Sequence, residues 1–302
     1  MQLTRLAAAI KKGDRVALAK GITMAENAPS EGANLLALLG PPGRSFVVGI
    51  TGPPGTGKSS LVDRLIGAYR SKRLRVGVIA VDPTSPITGG ALLGDRIRMT
   101  GHADDGGVFI RSMASRGWSG GLSRATAQVI RLMDAAGFDI ILLETVGIGQ
   151  SDIEVVGVSH AVLVVLMPGL GDDIQVSKAG LMEVGDIYVV NKSDLEGADL
   201  MMVSLLSLFR GSPRSPPVLR VSALSGEGVE ALQSAIEKVR SGFAAGSPDL
   251  KLRSIRGMIV ETARGAAMER LAAASQTRIA ALAQLVLEGK MTVEAAAAKL
   301  AR

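Results

Sequence analysis

Between Ser45 and Gly242 the chain alternates short apolar runs with stretches of helical periodicity. The apolar runs are Phe46–Thr51, Val76–Val81, Val108–Ile110, Ile140–Glu144, Ala161–Leu166, Ile187–Val190 and Val218–Val221. Most are continuous rather than alternating, as parallel strands buried on both faces require. Helical patterns fill the gaps, for example Ser59–Tyr69, Leu122–Ala136 and Val229–Val239. Regular β/α alternation predicts an α/β fold with a mostly parallel sheet between helical layers. Before this region, Leu3, Leu6, Ala7 and Ile10 recur at helical spacing, and a second pattern covers Val16 to Ile22. Gly13-Asp14 should break the first helix and cap the second, and a third helix is expected over Glu31 to Leu39. Beyond Gly246-Ser247-Pro248, which reads as a linker, only helical spacing recurs, with Thr292 as an expected N-cap. The expected organisation is a helical extension (1–43), an α/β domain (44–245) and a helical C-terminal segment (246–302).

Composition narrows the function. The 302 residues carry 34 Lys plus Arg against 28 Asp plus Glu, a net charge of +6, which reads as a mildly basic solvated surface. Aromatics make up 3%, too few for the stacking platforms of single-stranded nucleic-acid binding, so no nucleic-acid partner is expected. No apolar run nears the roughly 18 residues of a membrane helix, and no secretory signal is recognisable, so a cytoplasmic location without a membrane partner is expected. The absence of Cys excludes disulfides and thiolate metal sites. The two His, His102 and His160, lack a partner at ligand spacing and read as structural or surface residues.

The chemistry begins at Gly52-Pro53-Pro54-Gly55-Thr56-Gly57-Lys58-Ser59, which fits G-x-x-x-x-G-K-[ST] between a strand and a helix. Glycines let the loop amides turn inward on a phosphate, and the helix N-terminus adds partial positive charge. Pro54, Gly55, Thr56, Gly57, Lys58, Ser59 and Ser60 are therefore candidate nucleotide contacts, with Lys58 for the β- and γ-phosphates and Ser59 for Mg²⁺. The strand Ile140–Glu144 ends in an acidic residue suited to the same metal, and Gly147 stands where a backbone amide could sense the γ-phosphate. Asn191-Lys192-Ser193-Asp194 follows another apolar strand and resembles the guanine-specificity motif N-K-x-D. A carboxylate such as that of Asp194 accepts from both N1–H and the 2-amino group of guanine, a donor pair that adenine lacks. Ser222-Ala223-Leu224 then resembles the segment whose backbone contacts guanine O6. GTP or GDP with Mg²⁺ is the expected ligand set.

The segments between are more particular. Val81-Asp82-Pro83-Thr84-Ser85-Pro86, the stretch from Gly89 to Met99, Glu144 to Ser151, and Gly171-Asp172-Asp173-Ile174-Gln175 together resemble the MeaB/ArgK family, G-protein chaperones of adenosylcobalamin-dependent acyl-CoA mutases. The resemblance covers nearly the whole chain. It implies a P-loop NTPase fold of the signal-recognition/MinD class and slow GTP hydrolysis that a partner accelerates. It also implies that Asp82 and Asp95 are switch residues near Mg²⁺, completing a set with Ser59 and Glu144. Asp172 and Lys178 fall in a third switch that couples nucleotide to the mutase, so the implied catalytic set is Lys58, Asp95, Glu144, Asp172 and Lys178. The C-terminal segment resembles a dimerisation arm, so a homodimer is implied. The implied task is to gate cofactor loading and protect a methylmalonyl-CoA mutase or a relative. Ala179 departs from relatives with a second basic residue there. Gln150 lies three residues beyond Gly147 rather than next to it, which weakens comparison with the water-positioning Gln of small GTPases. Arg96 and Arg98 are candidates for an arginine finger. Two other readings stay open: a metal-delivery GTPase, and a kinase or ATPase associated with amino-acid transport.

Overall fold

In a computed structural model of the chain, all seven apolar runs are strands of one parallel sheet. The structure describes residues 2–41, 43, 45–82, 100–102, 104–114, 124–145, 147, 151–169, 181–211, 215–245, 252, 255–260, 262–264, 267 and 276–301. Three helices open the chain: α1 (Gln2–Lys11), α2 (Arg15–Asn27) and α3 (Pro29–Leu39). There follow β1 (Phe46–Thr51), α4 (Lys58–Ser71), β2 (Val76–Asp82) and β3 (Val108–Ala114). Next come α5 (Arg124–Ala135), β4 (Ile140–Glu144), α6 (Ser151–Val158), β5 (Ala161–Leu166) and α7 (Leu181–Val184). β6 (Ile187–Val190), α8 (Ala198–Phe209), β7 (Val218–Arg220) and α9 (Val229–Ala244) complete the layers. Helices α10 (Gln276–Leu287) and α11 (Val293–Ala301) lie toward the C-terminus.

The strand order is β3-β2-β4-β1-β5-β6-β7. β1 is therefore central, with β4 on one side and β5 on the other. Because all pairs are parallel, the loops leaving the strands share one edge, where open α/β sheets bind ligands. Alternate residues of each strand feed two cores. Val47, Ile79, Ile141, Leu143, Val162 and Val164 pack with α1, α2, α3, α5 and α6. Val48, Ile50, Val78, Leu142, Leu163 and Val165 pack with α4 and α9. Burial on both faces explains why the runs lack polar alternation.

Local signals set the helix boundaries. The Asp14 carboxylate accepts from Val16 N at 2.8 Å and Ala17 N at 2.9 Å, capping α2 as the sequence predicts. Pro29 starts α3 two residues before the expected Glu31, at a position where its missing N–H costs nothing. Thr292 Oγ1 accepts from Ala295 N at 3.2 Å at the start of α11.

The largest departure from the sequence reading is β3, which continues past Ile110 to Ala114. Its polar Arg111 and Ser112 interrupt the apolar run, yet the ladder to β2 persists to Asp82 opposite Ala114. Through one terminal nitrogen Arg111 forms an ion pair with Glu26 and a 3.3 Å bond to Thr23 on α2. α2 also meets this edge through Arg15, whose guanidinium donates to the Val108 carbonyl at 2.7 Å. β7 ends at Arg220 rather than Val221, although Val221 N still donates to Val190 O at 2.9 Å. Gly246-Ser247-Pro248 lies outside the described residues. Among those described, no helix is long and apolar enough to cross a membrane.

Leu65 on α4 is fully buried in the core beneath the nucleotide edge. Leu65→Ala should cost about 3 kcal/mol through lost burial and the cavity left behind. Urea unfolding should show the midpoint falling with an unchanged slope.

Candidate nucleotide site

The P-loop is held as a closed curve between β1 and α4. Gly57 adopts a left-handed conformation (φ 87°) just before α4, and a Cβ there would meet Asn191 Nδ2 at 2.4 Å. Only glycine serves at such a place without strain or collision. Lys58 is buried at the first position of α4, and its ammonium donates to the carbonyls of Gly52 at 2.7 Å and Pro53 at 3.0 Å. The cation thus lies folded over the hollow of its own loop. Thr56 Oγ1 donates to Pro53 O at 2.9 Å, tightening the same curve. Pro54, Gly55 and Ser60 are exposed on its rim.

The adjoining strand supplies the acid. β4 pairs with β1 so that Glu144 stands opposite Ile50. Ser59 Oγ donates to Glu144 Oε1 at 2.6 Å, with both side chains buried. A hydroxyl and a carboxylate at a helix N-terminus form a hard-oxygen pair of the kind Mg²⁺ favours. β2, the next strand, ends in Asp82 on the same sheet edge, since Ala80 pairs with Glu144. Beyond β4 the chain turns at Gly147 (φ 80°), where a Cβ would lie 2.0 Å from Gly52 O and 2.6 Å from Lys58 Nζ. This glycine presses directly on the P-loop.

The base-recognition candidates converge from β6 and β7. Asn191 is buried, and its amide donates to Thr56 O at 2.7 Å while accepting from Ala223 N at 3.0 Å. It therefore bridges the P-loop and the 222–224 turn. Ser222 Oγ donates to Asp194 Oδ1 at 2.6 Å. That bond, reinforced by the backbone N–H of Asp194 and the Lys192 charge, holds the Asp194 carboxyl below the usual carboxylate range. Lys192 has a left-handed backbone (φ 54°), a strained conformation for a lysine. Gly57, Ser60, Asn191, Lys192, Asp194 and Leu224 all face an open cavity of about 640 Å³.

The structure thus brings together Pro54, Gly55, Thr56, Gly57, Lys58, Ser59, Ser60, Glu144, Gly147, Asn191, Lys192, Asp194, Ser222, Ala223 and Leu224 along one sheet edge. Asp95, Asp172 and Lys178 lie outside the described residues, as do Arg96, Arg98 and Gln150, and of Asp82 only the backbone is described. His160 is buried, accepting from Val47 N at 2.9 Å, and His102 pairs with Asp63 at 3.2 Å. Sequence reading missed Arg64. Its guanidinium bonds the carbonyls of Ala223 and Leu224, about half the chain away, and no local pattern announces such a contact.

Comparison with known proteins agrees with this geometry. The model of the family described as methylmalonyl Co-A mutase-associated GTPase MeaB matches residues 18–277. A Pyrococcus horikoshii protein is 52% identical over 237 residues, covering 76% of this chain and 75% of its own length. The mitochondrial methylmalonic aciduria type A homolog of Mus musculus is 36% identical over 252 residues, covering 74% of this chain and 60% of its own length. Among solved structures, that of an LAO/AO transport system kinase superposes with a TM-score of 0.73 at 26% identity, covering 99% of this chain and 96% of its own. The fold and site define a P-loop GTPase that binds GTP and GDP. More particularly, the chain belongs to the MeaB family of GTPases.

Gly147→Ala should displace Gly52 and Lys58 and add the left-handed strain of about 1–2 kcal/mol. Calorimetric titration should show GDP affinity falling by at least about tenfold, an effect worth about 1.4 kcal/mol. The core packing that sets the thermal midpoint should change less.

Proposed function

We propose that this GTPase is a G-protein chaperone that gates cofactor loading and protects an adenosylcobalamin-dependent acyl-CoA mutase of the methylmalonyl-CoA mutase type. The observation that carries this reading is the family match over residues 18–277, since that family is described by its association with such a mutase. The mouse relative, named for methylmalonic aciduria, supports the same assignment.

In this reading the chain works in three parts: helices in 1–43 that brace the sheet, a GTPase domain over 44–245, and a homodimerisation arm over 246–302. GTP enters with its phosphates in the P-loop and its base between Lys192 and Leu224. Leu224 is 82% exposed and offers an apolar surface to a purine face. Asp194 accepts from guanine, and Ser222 keeps it ionised. Lys58 exchanges the Gly52 and Pro53 carbonyls for phosphate oxygens, bringing its positive charge to where negative charge develops in the transition state. Residues 52–60 align the γ-phosphate for in-line attack by water, and the Gly147 amide senses whether that phosphate is present. Mg²⁺, held by Ser59 and Glu144 with Asp82 and Asp95 as further oxygen donors, would neutralise charge on the phosphate oxygens. Asp172 and Lys178 pass the nucleotide state to the mutase.

The likeness to the LAO/AO transport system kinase raises a second reading, a nucleotide-dependent kinase. Asn191 and Asp194 favour guanine over adenine, and competition between GTP and ATP for the purified chain separates the two.

Lys58→Ala should weaken GTP binding on the order of 100-fold, the scale of lost hydrogen bonds between charged groups. Near-native affinity would refute the phosphate site. Purified protein should hydrolyse GTP slowly and accelerate severalfold when an adenosylcobalamin-dependent mutase is added and co-elutes. An unchanged rate with every such mutase tested would remove the chaperone role. The Asp194 carboxyl, depressed in the folded chain, stays charged as pH falls through the ordinary carboxylate range, and GDP binding persists with it. Ser222→Ala should raise that pKa, so the acid loss of GDP binding should begin at higher pH in a fluorescent-nucleotide titration.

A further inference from the structure

The 222–224 turn is fixed from two sides. From within, Asn191 Oδ1 occupies the Ala223 N–H at 3.0 Å. From α4, Arg64 Nε donates to Ala223 O at 2.8 Å and Arg64 Nη2 donates to Leu224 O at 2.5 Å. Arg64 and both turn residues line the cavity that holds Lys192 and Asp194. The Ala223 carbonyl belongs to the same planar unit as the Leu224 N–H, and in a trans peptide the two point in opposite directions. Anchoring that carbonyl to the guanidinium therefore directs the Leu224 N–H away from α4. A charge-assisted bond to the carbonyl also polarises its peptide and makes its N–H a stronger donor.

We propose that Arg64 is a specificity-determining positioning residue: by holding the Ala223 and Leu224 carbonyls it aims and strengthens the Leu224 amide as the donor to O6 of a guanine nucleotide. This rests on the reading of residues 191–194 and 222–224 as the base site. Within the 222–224 segment it gives the O6 contact to Leu224, since the Ala223 amide is taken by Asn191. It also ties base recognition to the P-loop helix, because Arg64 lies less than two turns beyond Lys58 on α4. A lysine at this position could not reproduce the fork that reaches two carbonyls at once.

The test compares affinities of the full chain for GDP, 6-thio-GDP and IDP in the wild type, Arg64→Ala and Arg64→Lys. Sulfur at position 6 is a poorer acceptor, so the first ratio reports the O6 contact. IDP lacks the 2-amino group, so its ratio reports Asp194. Arg64→Ala should bind GDP about tenfold more weakly, as for loss of bonds to a charged group. The preference for GDP over 6-thio-GDP should shrink toward one while the preference over IDP stays fixed. KM for GTP should rise with kcat at saturation unchanged. Arg64→Lys, which keeps the charge and one donor, should show a smaller shift in the same ratio, and it stands in if the alanine variant fails to fold. An equal fall for all three nucleotides, or no change, overturns the inference. Asp194→Asn checks the underlying reading separately. A switch in preference from GDP to XDP upholds the base site whatever Arg64 does, and no switch there overturns the base site itself.

Discussion

The buried amide of Asn191 is the joint on which the nucleotide edge depends. It donates to Thr56 O in the P-loop and accepts from Ala223 N in the turn after β7. Three loops from β1, β6 and β7 meet at one side chain that water does not reach. Removing it would strand a carbonyl and an N–H, each costing about 1–3 kcal/mol when left unsatisfied. Glycine at 57 follows from the same joint, because a Cβ there would collide with Asn191 Nδ2. A residue read from its motif as a base-recognition element is thus also the tie that keeps the phosphate and base halves of the site at a fixed separation.

The opposite wall is held by Glu144 and Gly147. β4 carries Glu144 to Ser59, and the chain then passes so close to Gly52 and Lys58 that no side chain fits at 147. Gly147 thus stands in direct contact with the loop and the lysine that the proposed function gives to the phosphates. Farther along, α6 packs on β1, the strand that leads into the P-loop.

Helices α1 to α3 are not an appendage in this structure. Ile10, Leu18, Ile22 and Leu35 are fully buried in the same core as Ile141, Leu143 and Val164 of the sheet. Arg15 and the Arg111–Glu26 pair then tie α2 to the β3 edge. The C-terminal helices contrast with this. Ile259, Val260, Leu287 and Val293 are all more than half exposed.

Much of this was legible in the chain itself. A short continuous apolar run rich in β-branched residues and alternating with helical stretches reads as a strand buried on both faces, so Phe46–Thr51, Ile140–Glu144, Ala161–Leu166 and Ile187–Val190 were readable to the residue, and the parallel sheet with them. The P-loop was equally plain, since glycine spacing, Lys58 and Ser59 are dictated by the shape and charge of a phosphate. Contacts between distant residues were not. The extension of β3 brings Arg111 to Glu26 on α2, a contact no local pattern announces. Arg64 reaches a turn on the far side of the sequence, and Ala223 yields its amide to Asn191 rather than keeping it for a ligand. Such bonds are chosen by which strands lie side by side, and strand order is a property of the folded sheet that no window of sequence contains. The chain's local chemistry therefore determined which elements form and which groups can hold a nucleotide, and the tertiary structure alone decided how those groups hold one another.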